Sequence, residues 1–165
     1  GAGFSSARLP GRIEVLGGTP LRVVDSAHTP ASARALAATL RGLAKGETHL
    51  VLSVSAGKDL DEILAALLPL VDALTVTRAD PTRSLAPAEV ARVARAQRAD
   101  LVTRCVPNPH LALRAALDGL GSDGCALATG SVYLAGIARR IWSEPAPGAR
   151  VGITRTRPAP PVVGG

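Results

Sequence analysis

HLVLSVSAGKDLDEILAALLPLVDALTV, residues 49–76, decides how this chain folds. His49–Val54 is an almost unbroken apolar run of strand length, the pattern of a strand buried on both faces. A helix opens near Asp59, where Asp61 and Glu62 suit the positive end of a helix dipole. Its Leu60, Ile63, Leu64, Leu67 and Leu68 recur at helical spacing. Ala73–Thr77 then reads as a second strand. Strand, crossover helix and strand make the repeating unit of a parallel sheet.

The unit recurs in both directions. Upstream, strands at Arg12–Leu16 and Leu21–Val24 flank the turn Gly17-Gly18-Thr19-Pro20. A helix follows, capped by Thr29 with Pro30 at its first position, and Gly46 ends it. Downstream, Pro87 starts a helix to about Gln97, and Asp100–Val106 reads as a strand. Asn108-Pro109 opens a helix to about Leu117, Cys125–Thr129 is the last strand, and Ser131 caps a helix through Trp142. The order predicts an α/β fold with an open, mainly parallel sheet and helices on both faces. From Pro145 the periodicity stops and Pro, Gly and isolated Arg dominate. The chain therefore divides into a domain at 1–144 and a flexible tail at 145–165.

Composition excludes several classes. The 165 residues are 47% hydrophobic and 19% charged, enough to bury a core, so disorder throughout is ruled out. The uncharged run between Asp123 and Arg139 is too short and too polar to span a membrane. Two cysteines, Cys105 and Cys125, cannot make a disulfide scaffold; both lie in or beside apolar strands and read as buried, inert thiols in a reducing, cytoplasmic setting. Phe4, Tyr133 and Trp142 are the whole aromatic complement, so no stacking platform for nucleic acid can form. Of the net charge of +6, half comes from Arg150, Arg155 and Arg157 after the last acid, Glu144. The chain opens on Gly1 and contains no Met, and is expected to be a piece of something longer.

In such sheets ligands bind beyond the carboxyl ends of the strands. The strand-to-helix loops there offer Asp25, Ser26 and His28; Ser53, Ser55, Lys58 and Asp59; Arg78, Asp80, Thr82, Arg83 and Ser84; Arg104 and Asn108; and Thr129, Gly130 and Ser131. The inventory suits an anion-handling edge, with helix starts at Thr29 and Ser131. It lacks the phosphate loop, since Lys58 is followed by Asp59 rather than Ser or Thr. It also lacks the dinucleotide glycine motif, metal-ligand spacing among its three His and two Cys, and the hydrolase nucleophile elbow. Alone, the chain has no machinery for activating a substrate.

LPGRIEV (Leu9–Val15), VVDSAHTP (Val23–Pro30), Lys58-Asp59, VTRADPTRS (Val76–Ser84) and TGSVYLAG (Thr129–Gly136) together resemble the C-terminal domain of folylpolyglutamate synthase/dihydrofolate synthase, in the Mur ligase superfamily. The resemblance runs from Ala7 to Trp142. It implies a three-layer Rossmann-like domain with a mostly parallel sheet of about six strands. It also implies an ATP-dependent ligase that adds L-glutamate to dihydropteroate or folate through an acyl phosphate. The phosphate loop and most of the Mg2+ site would belong to an N-terminal ATPase domain missing from this chain, which by itself would be inactive.

Carried over motif by motif, Arg12 would reach the ATP phosphates, Asp25 would accept from ribose hydroxyls, and His28 would serve catalysis where nucleotide and glutamate meet. Ser131 would face the glutamate carboxylate, with Lys58 and Arg83 as further anion contacts and Tyr133 as packing. The resemblance further implies a cytoplasmic monomer with no membrane or nucleic-acid partner. Ser26, Thr29, Gly57 and Leu9 depart from the family pattern, and His28-Thr29-Pro30 is similar to the muramyl peptide ligases. Two other readings therefore stand: a muramyl ligase domain, or a non-catalytic nucleotide- or partner-binding module.

Overall fold

The computed structural model describes residues 7–9 and 13–144. Arg12 and residues 145–165, where a nucleotide contact and a tail were expected, lie outside them.

Strands β1 (Ala7–Leu9), β2 (Ile13–Gly17) and β3 (Leu21–Val24) lead to helix α1 (Pro30–Leu43). Then β4 (Thr48–Leu52), α2 (Leu60–Leu67), β5 (Ala73–Val76), α3 (Pro87–Gln97), β6 (Val102–Cys105), α4 (Pro109–Ala115), β7 (Cys125–Thr129) and α5 (Val132–Ser143) alternate. The sheet order is β1-β2-β3-β7-β4-β5-β6. The two junctions joining β1, β2 and β3 are antiparallel, and every other junction is parallel. The expected α/β architecture with about six strands is borne out. The seventh, β1, is three residues long, too short for a period-two pattern to show in sequence.

Strand alternation divides the core in two. Val23, Leu50, Leu52, Leu74, Val76, Cys125 and Leu127 pack with α1, α2 and α3. Their neighbours Val24, Val51, Ala126 and Ala128 face α4 and α5. Successive side chains of one strand thus feed opposite cores, and each fully buried Leu or Val contributes about 1.5–3 kcal/mol.

Helix starts follow the sequence signals. Thr29 and Ser32 form a reciprocal capping box on α1. Asn108 Oδ1 accepts the amides of His110 and Leu111 at the start of α4. Cys125 is fully buried, and burial pushes its thiol up to about 11. Cys105 departs from expectation: it is exposed, because β6 is the outer strand of the sheet and, among the described residues, has a neighbour on one side only.

Trp142 locks the second core. Its indole Nε1 donates to Leu113 O in the last turn of α4 at 2.9 Å, and its own carbonyl accepts Arg22 Nη1 at 2.8 Å. Trp142→Ala empties a fully buried site and should cost about 3–5 kcal/mol in chemical denaturation followed by circular dichroism. Trp142→Phe keeps most of the packing but leaves Leu113 O without the indole, and should cost about 1–3 kcal/mol.

Candidate functional site

Strand order creates the site. The chain leaves β3 through α1 to reach β4, one strand beyond a gap that β7 later fills. The loops after β3, β4, β5 and β7 therefore all emerge at one edge of the sheet, where the winding reverses. Between them lies a cavity of about 510 Å³, lined by His28, Ser55, Lys58, Thr82, Arg83 and Ser131, with Tyr133 at the start of α5. Among the described residues, no carboxylate lines it.

Each cationic group has a local reason for its place. The carboxylates beside them are turned to backbone amides: Asp59 Oδ1 accepts Glu62 N at 3.3 Å as the cap of α2. Asp80 Oδ1 accepts the Thr82 amide and hydroxyl, both at 2.9 Å, and the Arg83 amide at 3.3 Å. These bonds from Thr82 hold the Asp80 carboxyl below the usual carboxylate range, so it stays ionised in the turn that presents Arg83. Ser131 Oγ caps α5 by accepting Leu134 N at 3.0 Å. The first amides of α5 lack intrahelical carbonyl partners, and they start at the cleft.

His28 Nδ1 lies 2.9 Å from Ser26 O. A carbonyl only accepts, so Nδ1 carries the proton and a neutral ring has its lone pair on Nε2. Gly130 admits no side chain. Its φ is +106°, and a Cβ there would come within 2.3 Å of Ser53 O.

Of the residues singled out from sequence, His28, Lys58, Arg83 and Ser131 converge on this cavity. Asp25 does not line it. At 2% exposure it is buried just after β3, with Oδ1 accepting Ala27 N at 2.5 Å and Thr129 Oγ1 at 3.4 Å. Tyr133, expected to pack, is instead 50% exposed and lines the cleft. Its signal was available, because the buried stripe of α5 is Leu134, Ala135, Ala138 and Trp142, and position 133 falls off it. Among the described residues, no group of three or more His, Cys, Asp or Glu could hold a metal ion. The donor set in the cleft fits an anion and does not fit Mg2+.

The family model for the Mur ligase glutamate ligase domain matches residues 11–132. The chain belongs to that family. It is 35% identical over 158 residues to the dihydrofolate synthase/folylpolyglutamate synthase of Mycobacterium tuberculosis, covering 87% of this chain and 32% of that protein. Among solved structures, M. tuberculosis folylpolyglutamate synthase complexed with ADP superposes with a TM-score of 0.74 at 32% identity, over 84% of this chain and 33% of the other. The bifunctional folylpolyglutamate synthase/dihydrofolate synthase of Yersinia pestis, complexed with AMPPNP and a manganese ion, gives 0.71 at 25% identity, over 82% and 32%. The chain thus spans about a third of the length of these relatives.

The ligase domain has a second cavity, of about 250 Å³, at the amino ends of β4, β5 and β6. It mixes Arg104 and His49 with Glu47, Asp72 and Asp118, so it lacks the single sign of charge that distinguishes the first. His49 Nε2 lies 2.8 Å from Thr75 Oγ1. Burial, with Arg104 nearby, lowers the His49 pKa below the ordinary histidine value. The unfolded chain then binds a proton that the folded chain refuses. Stability attributable to His49 should be complete above about pH 6.5 and should fall as the pH drops below it. Denaturation midpoints of His49→Gln measured from pH 7.5 to 5 should show a flatter decline than those of the parent.

Proposed function

We propose that this domain is the glutamate- and nucleotide-facing half of an ATP-dependent amide ligase that adds L-glutamate to dihydropteroate or folate. The observation that carries the reading is a cleft with Lys58, Arg83, His28 and a helix start, and no carboxylate among the described residues, at the switch point of the sheet. Such a cleft attracts the carboxylates of glutamate and the phosphates of a nucleotide. Support also comes from relatives solved with ADP or AMPPNP.

In the reaction, a pteroate or folate carboxylate takes the γ-phosphoryl of ATP, giving an acyl phosphate and ADP. The glutamate α-amine then attacks the acyl carbon, forming the amide and releasing phosphate. Lys58 and Arg83 hold carboxylate or phosphate oxygens in this scheme, Arg83 as a planar fork and Lys58 as a point charge. Ser131 and the first amides of α5 orient the glutamate carboxylate. His28, with Nδ1 fixed on Ser26, offers Nε2 to receive a proton from the α-ammonium as it becomes a nucleophile. Arg12 reaches the phosphates in the same proposal. Asp25 meets the ribose only after the loop following β3 opens, since its carboxylate is buried in this structure. Mg2+ and the phosphate loop belong to the ATPase half, as does most of the pterin contact.

The muramyl alternative rests on Thr29. Thr29, which makes the sequence similar to that branch, is the N-cap of α1 and pairs with Ser32, a role needing no ligand.

In the complete ligase, Lys58→Ala or Arg83→Ala should raise the KM for L-glutamate by roughly 10- to 100-fold, the loss of one charge-assisted contact. His28→Ala should lower kcat by about 100-fold or more while the melting temperature holds. Dihydropteroate should be turned over and UDP-muramyl peptides should not. Turnover of the muramyl substrate alone, or an unchanged kcat for His28→Ala, would refute the corresponding assignment. Calorimetry of the 165-residue chain with ADP should show no micromolar affinity, because one wall of the cleft cannot pre-organise the ligand.

A further inference from the structure

Ser53 directly follows β4 and is fully buried, and it lines neither of the two cavities described above. Its side chain reaches out of its own loop. Ser53 Oγ accepts the Ala79 amide at 3.1 Å and lies 3.1 Å from Ser84 Oγ, which accepts the Asp80 amide at 3.0 Å. Its backbone turns the other way. Ser53 N donates to Thr129 O at 3.3 Å, and Ser53 O sits against Gly130, at the spot that excludes a Cβ. One residue therefore touches the loops that carry Lys58, Arg83 and Ser131.

The loops after β4 and β5 are further joined by Ala56 N to Arg83 O and Leu85 N to Val54 O, each at 2.8 Å, around a bridge between Ser55 and Ser84. A buried Ser hydroxyl commonly bonds to the backbone of its own segment. Ser53 and Ser84 instead bond to the two amides that open the Asp80 turn, the turn that presents Arg83.

We infer that the Ser53–Ser84 hydroxyl pair is a positioning device: it fixes the spacing of Lys58, Arg83 and Ser131 across the cleft without touching the ligand. This rests on the reading of the cleft given under Proposed function. Distances between binding groups matter because a displacement of about 1 Å can cost up to about 100-fold in a reaction that depends on orientation.

The test compares Ser53→Ala, Ser84→Ala, their double variant, Ser84→Thr and Lys58→Ala in the complete ligase. Each serine-to-alanine change should raise the KM for L-glutamate by roughly 10-fold, with kcat within about twofold. The double variant should be little worse than either single, because both remove one linkage. Ser84→Thr keeps the hydroxyl and should restore the KM. If Ser53→Ala does not fold, Ser84→Ala at the rim of the same pair answers the question. An unchanged KM in the serine variants, or a fall in kcat alone, overturns the inference when Lys58→Ala does raise KM. If Lys58→Ala also leaves KM unchanged, the reading of the cleft has failed, and hydrogen exchange on the 165-residue chain decides the linkage by itself. Faster exchange at Ala56 and Leu85 in Ser53→Ala supports it, and unchanged exchange at both overturns it.

Discussion

β7 enters the sheet last and lies between β3 and β4, pairing in parallel with both while all five of its residues are buried. Everything at the cleft depends on that insertion. A strand hydrogen-bonded on both edges and covered on both faces has no freedom to slip, because a shift of one residue would send Ala126 and Ala128 to the wrong core. Its fixed end sets Gly130 against Ser53 and starts α5 at the cleft. The loops after β3 and β4, which would otherwise stand apart, become neighbours across it.

The cleft acquires its sign by diversion of acids rather than by accumulation of bases. Lys58 is followed at once by Asp59, and Arg83 stands three residues after Asp80. Left in the cavity, those carboxylates would neutralise it. Both are occupied with backbone amides instead, Asp59 at the first turn of α2 and Asp80 in its own turn. A carboxylate so bonded also gains from the amide dipoles, so the arrangement stabilises the loops while leaving the two cations to face the cavity. A shorter loop after β5, without the Asp80 turn, would lose the presentation of Arg83 along with the cap.

The elements with strong local signals were legible. Pro87 marks the start of α3, which ends at Gln97 near the expected bound, and Cys125–Thr129 forms β7 as read. Ends set by tertiary contact were not. The strand expected over Asp100–Val106 shrinks to Val102–Cys105 because its outer edge has no partner among the described residues, and that same edge position exposes Cys105. For the site, sequence supplied the polar loops but not their convergence. Arg78 and Arg104 look as suitable as Arg83 until strand order is known. Arg78 then turns its guanidinium back to Pro81 O, and Arg104 lines the cavity at the opposite end of the sheet. Ser53 stood in the loop inventory without a role for a different reason: a hydroxyl following an apolar strand gives no local hint of which loop it will bond.

An open cavity of this kind holds its ligand weakly by itself. The cavity of about 510 Å³ offers two cations, a histidine and a helix start, and Tyr133 in its lining is half exposed. In water such exposed charges attract an anion by only about 1 kcal/mol each. Covering it with a second wall would lower the local dielectric and strengthen every one of these contacts. A rigid half-site, with its loops stapled through Ser53 and Ser84, suits that arrangement because closing over it need not reorder Lys58, Arg83 or Ser131. Lys58 and Arg83 mark the face such a wall would have to meet.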